Sequence, residues 1–303
     1  CKEYGADMVY TEFVSSDGLI RNITKTKNKL FFLEQERPIG VQIYGHLKES
    51  MVEAARIAEE MNPDIIDINF GCPVKKIANR GAGSGMLKNV PLMIDITQSI
   101  VKTVKKPVTV KTRIGYDEKT KNIIEVAEKL QDVGIKAITI HGRTREQMYK
   151  GTADWNLIGE VKNNPRIKIP VIGNGDINSP QKAKEAFEKY GVDAIMIGRA
   201  TIGRPWIFKE IKTFFYSGTI PFPPTVNEII EVIKKHIDLS YKEDNEIRTI
   251  LHMRRHFAQY FKGLPHFRDL RIELLTVKTI KGVYDVLDKI KEKYDNKRVI
   301  YDI

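Results

Sequence analysis

A cysteine followed by proline, set between an apolar run and a glycine-rich basic segment, is the part of this 303-residue chain best suited to chemistry. Residues 64–70 form the short apolar run, and Pro73 ends it by fixing φ and withdrawing a backbone donor. Cys72 therefore falls on a strand-to-helix loop, where a thiol can deliver a proton into a pocket. A free cysteine is also at home as a small buried hydrophobe, and that reading stands beside the chemical one. The neighbours favour chemistry. Gly71, Gly81, Gly83 and Gly85 let backbone come close to a ligand, while Lys75, Lys76 and Arg80 attract an anionic partner.

Other polar residues recur at matching places. Short β-rich runs occupy 8–13, 39–44, 65–70, 108–113, 137–141, 170–173 and 194–198, and Gln42, Asn69, Lys111, His141, Asn174 and Arg199 lie on or just beyond six of them. Between most runs stand amphipathic helical patterns, as at 50–61, 92–104, 123–133 and 181–190. Alternating strands and helices predict a parallel sheet, and polar residues gathered at strand C-termini predict the mouth of a (β/α)8 barrel. Seven runs are one short of the eight that closure needs. The competing doubly wound sheet would carry a glycine fingerprint after its first strand; none is there, and GAGSG at 81–85 lies past its strand with the wrong spacing.

Past Gly203 the pattern changes. Pro205, Pro221, Pro223 and Pro224 surround a linker, and helical patterns at 226–241, 246–261, 269–279 and 283–294 predict a small all-helical domain. The expected division is a barrel domain over 1–220 and a helical domain over 221–303. Residues 253–271 interleave Arg254, Arg255, Lys262, Arg268 and Arg271 with aromatics, which reads equally as a solvated basic face or as an RNA surface. The formal charge of +11 suits a polyanionic partner. Cys1 and Cys72 make neither metal-ligand spacing nor a disulfide framework, so no metal is expected and a reducing cytoplasm fits best. No run of about 18 apolar residues predicts a membrane span, and the first residues lack the regions of a signal peptide.

Taken together, VQIYG, DINFGCPVKKIANRGAGSGML, VTVKTRIG, ITIHGRTREQMYKG, VIGNGDI and IMIGRATIGRPW resemble the tRNA-dihydrouridine synthases, nearest the bacterial B-type members. The likeness covers nearly the whole chain, tail included. It implies an FMN-dependent enzyme that reduces the C5=C6 bond of selected uridines in tRNA, with NADPH recharging the flavin and no obligate protein partner. It further implies Cys72 as proton donor, and Gln42, Lys111, His141, Asn174, Gly175, Asp176, Gly198 and Arg199 as cofactor-binding residues. Asn69, Arg143, Arg145, Arg254, Arg255 and Lys262 are the implied substrate or tRNA contacts. A Schiff-base lysine at Lys111 and a histidine satisfied within the barrel at His141 are the alternatives for those two positions.

Family members begin with a strand and loop of the LAPMAGVTD type, which this sequence lacks, so the expected fold is a (β/α)8 barrel without its first strand, followed by the helical domain. Two other functions fit parts of the pattern. One is a flavin barrel acting on a free pyrimidine, as the dihydroorotate dehydrogenases do; the other is a non-catalytic tRNA-binding protein.

Overall fold

The computed structural model describes residues 1–301 except Asn22, Thr24, Lys25 and Lys27. Its first compact unit comprises Cys1–Ile177 and Gln181–Ile197. Eight strands build one sheet: β1 (Val9–Tyr10), β2 (Val14–Ser15), β3 (Ile39–Tyr44), β4 (Ile65–Asn69), β5 (Val108–Arg113), β6 (Ala137–His141), β7 (Val171–Asn174) and β8 (Ala194–Met196). All pairings are parallel, in the order β1-β3-β4-β5-β6-β7-β8, with β2 also on β3. Of the first expected run, 8–13, only Val9–Tyr10 pairs, and a second short piece, β2, follows just beyond it along the same edge of β3, where Val9 pairs Ile39 and Val14 pairs Ile43. The result is seven strand positions of an incomplete (β/α)8 barrel. Among the described residues β8 pairs β7 alone.

Period-two alternation decides which side chains reach the barrel interior. Ile66, Ile68, Val110, Ile138 and Ile140 are fully buried, and their neighbours Asp67, Asn69, Thr109, Lys111, Thr139 and His141 must take the opposite face. Each such aliphatic side chain stabilises the fold by about 1.5–3 kcal/mol through burial. The covering helices are α1 (Ser16–Ile20), α2 (Lys48–Glu60), α3 (Lys75–Ala78), α4 (Val90–Thr103), α5 (Ile123–Asp132), α6 (Trp155–Asn163) and α7 (Pro180–Glu188). α2 buries Met51, Ala54, Ala55 and Ala58, and α5 buries Ile123, Val126, Ala127 and Leu130, the i, i+3, i+4, i+7 stripe of an amphipathic helix. α4 starts where Asn89 accepts the Leu92 N–H, with proline in its first turn. On β7, Gly173 leaves room for the Trp155 ring, with which a Cβ there would overlap.

The second unit comprises Asn178–Pro180 and Gly198–Ile303. It holds α8 (Ile207–Ser217), α9 (Val226–Glu243), α10 (Glu246–Tyr260), α11 (Arg268–Thr276) and α12 (Ile280–Tyr294). Side-chain caps set three of the starts: a Thr225–Glu228 capping box for α9, Asn245 for α10 and Thr279 for α12. The Thr279 cap explains why the last helix starts before residue 283. Ile229, Ile233, Ile237, Met253, Phe257, Leu287 and Ile290 fill the bundle core.

Candidate active site

Strand register carries the polar residues into one neighbourhood. Gln42 lies opposite Asp67 and Asp67 opposite Thr109; Asn69 lies opposite Lys111; Arg113, His141 and Asn174 follow in a row toward the strand C-termini. Five of the six strand-end residues expected at one mouth are therefore brought together within the first unit.

The Cys72 loop is held from several sides. Asn69 Oδ1 accepts the backbone N–H groups of Gly71 and Cys72, each at 2.9 Å. The Cys72 carbonyl accepts from Ser84 Oγ at 2.7 Å and from the Ser84 N–H at 3.1 Å. Gly83, at φ +55°, passes so near that a Cβ would lie 3.0 Å from that carbonyl. Arg113, 2% exposed, donates from Nε to the Gly71 carbonyl at 2.8 Å, and from one terminal nitrogen to the Thr144 and Met148 carbonyls at 2.9 Å each. It thereby staples the loop after β4 to the loop after β6.

Burial pushes the Cys72 thiol above its ordinary pKa, and this outweighs the opposing pull of the Val74 N–H, Arg113 and Lys111. The thiol is therefore protonated at neutral pH. Lys75 and Lys76, the cations adjacent in sequence, are exposed.

Lys111 is pushed down to about 8, first by burial and then by Arg113. Its ammonium donates to Asn174 Oδ1 at 3.1 Å, which uses one of three hydrogens, and Asn174 Nδ2 is fixed by the Met196 carbonyl at 2.7 Å. His141 lies far below its usual range, at about 2, owing to burial and then to Arg113, Lys111 and Arg143. It is thus neutral. Its Nδ1 accepts the Arg143 backbone N–H at 3.2 Å, so the proton is assigned to Nε2. Lys111, His141 and the Gln42 amide together make a donor-rich wall that suits an acceptor-rich planar ring.

Arg143, expected as a substrate or tRNA contact, is instead 2% exposed and bound at both terminal nitrogens to Asp176, at 2.8 and 2.7 Å. Asp176 also accepts the Ala153 N–H at 2.9 Å, and the Gly175 carbonyl accepts from Trp155 Nε1 at 3.0 Å. An arginine taken from water needs such a partner, so this pair orders the loops after β6 and β7. Arg145 is half-buried, 3.4 Å from Asn79 Oδ1 and over the Tyr116 ring. Gly198 and Arg199 are exposed residues of the second unit, as are Arg255 on α10 and Lys262 beyond it; Arg254 is half-buried.

Sequence reasoning missed Arg113, Asp67, Thr109 and Ser84. Asp67 is completely buried, with a pKa raised by burial to about 6. A polar residue two positions before Asn69 and another two after Lys111 was the available signal, since period two repeats a face. Among the described residues no group of three or more His, Cys, Asp or Glu could hold a metal ion, and no helix is long and apolar enough to cross a membrane.

The chain is 39% identical to tRNA-dihydrouridine synthase B of Pseudomonas aeruginosa over 277 residues, covering 90% of this chain and 82% of that one. It is 39% identical to tRNA-dihydrouridine synthase B of Shewanella oneidensis, covering 95% and 88%. With a probable tRNA-dihydrouridine synthase of Rickettsia prowazekii it shares 37% over 97% and 88%. The solved histamine dehydrogenase from Rhizobium sp. 4-9 shares the fold, with a TM-score of 0.52 at 13% identity; the match covers 69% of this chain but only 41% of that one. Residues 1–295 match the dihydrouridine synthase family model, and on that match and those identities the chain belongs to the dihydrouridine synthase family of enzymes.

Proposed function

We propose that the protein reduces the C5=C6 bond of selected uridines in tRNA, with FMN as immediate reductant, NADPH as its electron source and Cys72 as proton donor, in the cytoplasm. The observation that carries the reading is a thiol kept protonated by burial in a loop fixed by Asn69, Ser84 and Arg113. The relatives' names supply the substrate.

Gln42, Lys111 and His141 would hold the flavin ring through N–H donors, and the Lys111 ammonium would stabilise negative charge on its pyrimidine portion. The Arg143–Asp176 pair serves by ordering the loops around Asn174 and Gly175. In the second unit, exposed Arg199 offers a guanidinium to a phosphate, and exposed Arg255 and Lys262 offer charge to RNA. When bound and reduced, the flavin supplies a hydride, which suits the electrophilic C6 of a uracil conjugated to its C4 carbonyl. Charge then gathers toward C5 and O4. Cys72 donates its proton at C5 and is left as a thiolate, which regains a proton from water.

Turnover tests this against a free-pyrimidine reductase. With flavin-loaded protein and NADPH, unmodified tRNA should drive NADPH oxidation, and the tRNA affinity should drop at least about tenfold between low and physiological salt. Equal turnover with a free pyrimidine and no response to tRNA would contradict the proposal; salt-sensitive tRNA binding with no reduction would mark a non-catalytic RNA binder.

Lys111→Ala should release flavin more readily than wild type on gel filtration. The wild type should also show flavin reduction becoming harder as pH rises through about 8, because the depressed pKa means the ammonium is present below that value and lost above it. The variant should lack this step, and an unchanged pH profile would remove Lys111 from the flavin.

A further inference from the structure

A one-way hydrogen-bond chain runs from the barrel interior to the Cys72 loop. Thr109 Oγ1 donates to Asp67 Oδ1 at 2.5 Å, and Gln42 Nε2 donates to Asp67 Oδ2 at 2.6 Å. Asn69 Nδ2 donates to Gln42 Oε1 at 2.6 Å, and the N–H groups of Gly71 and Cys72 donate to Asn69 Oδ1. Every donor faces inward, toward Asp67. An amide side chain alone has no preferred sense, because its oxygen and nitrogen ends are nearly the same shape. Both ends of this chain, however, have only one possible role. An ionised carboxylate can only accept, and a backbone N–H can only donate. Each intervening amide is consequently fixed: a flip of Gln42 would set oxygen against the Asp67 carboxylate and donor against donor at Asn69, and a flip of Asn69 would set donor against donor at the loop.

We propose that Asp67 is a positioning residue for Cys72, acting at a distance through the enforced polarity of Gln42 and Asn69. It touches neither the thiol nor the loop. Its contribution is the direction of the chain, which presents an oxygen, not an NH2 group, to the Gly71 and Cys72 amides. The completely buried site makes an unmatched polar contact costly, so the direction is strongly held. The consequence for catalysis rests on the proton-donor role of Cys72, whereas the positioning claim itself is tested without turnover.

The test moves the charge by one place. Asp67→Asn removes the accept-only end: with its oxygen held by Thr109 the new amide turns its NH2 group toward Gln42, which must flip, and Asn69 with it, so amide hydrogen exchange read by mass spectrometry on a peptide spanning 69–76 should accelerate by about tenfold or more, with a β6 peptide as control. Asp67→Asn combined with Gln42→Glu restores the pattern. The amide nitrogen introduced at position 67 can donate to the carboxylate introduced at position 42, whose other oxygen still accepts from Asn69. Thr109 meanwhile still donates to the amide oxygen at position 67. The double variant should therefore return to within about threefold of wild-type exchange, a coupling that separate volume effects do not produce. If Asp67→Asn fails to fold, recovery of a folded protein in the double variant is the same positive result. Unchanged loop exchange in Asp67→Asn, or a double variant no better than that single one, would overturn the proposal.

Discussion

Cys72→Ala should keep its flavin and reduce uridine in tRNA about 100- to 10,000-fold more slowly, the usual contribution of a positioned general acid. The substitution leaves the loop's framework intact, because the loop is tied through backbone groups. The Cys72 N–H goes to Asn69 and its carbonyl to Ser84, and alanine provides both. What disappears is the proton. The effect should be confined to tRNA-dependent reoxidation, with NADPH-dependent flavin reduction near the wild-type rate, since in the proposed mechanism the thiol enters only after hydride has reached C6. Stopped-flow absorbance separates the two half-reactions. Equal reoxidation rates would assign the proton to another group.

Arg113→Met should have the second-largest effect, on both stability and titration. Three carbonyls from two loops, two of them in buried contacts, lose a charged donor, and a loss of about 3 kcal/mol or more in denaturant unfolding is expected. The titrations should shift in a defined direction. Arg113 holds both Lys111 and His141 down, so removing it raises both. Folded His141 titrates near 2 whereas an unfolded histidine titrates near 6.5, so the folded state binds fewer protons between those values. Stability from this residue is accordingly present above about pH 6.5 and lost as pH falls below it. In Arg113→Met that acid sensitivity should be smaller, and the His141 imidazole resonances should titrate at higher pH. A variant as stable as wild type, with unmoved histidine shifts, would show that Arg113 is not the staple.

The barrel and the mouth were legible because two periodicities coincide with chemistry. Alternation within 65–70 and 108–113 placed strands, and the polar residue ending each apolar run placed the mouth. The division of the first strand was not legible, since residues 8–13 alternate without any signal that Tyr10 would be the last to pair before Val14 begins again. The roles of arginines were harder still. Arg143 and Arg145 sit in one basic-looking segment, yet only a distant carboxylate, Asp176, determines that the first is buried; pairing across loops has no local trace in sequence. Arg113 was passed over for the same reason, because its partners are carbonyls of residues 71, 144 and 148. For Cys72 the sequence left open whether flanking lysines would depress the thiol. Folding sends Lys75 and Lys76 to solvent and lets burial dominate.

The most direct measurement of the central claim is mass mapping of tRNA that carries no modifications, after incubation with flavin-loaded protein and NADPH. Each modified uridine should gain one hydride and one proton, at a small number of fixed positions, and wild type should accumulate the product while Cys72→Ala accumulates almost none over the same interval. Unaltered uridine at every position with fully flavin-loaded wild-type protein would contradict the account.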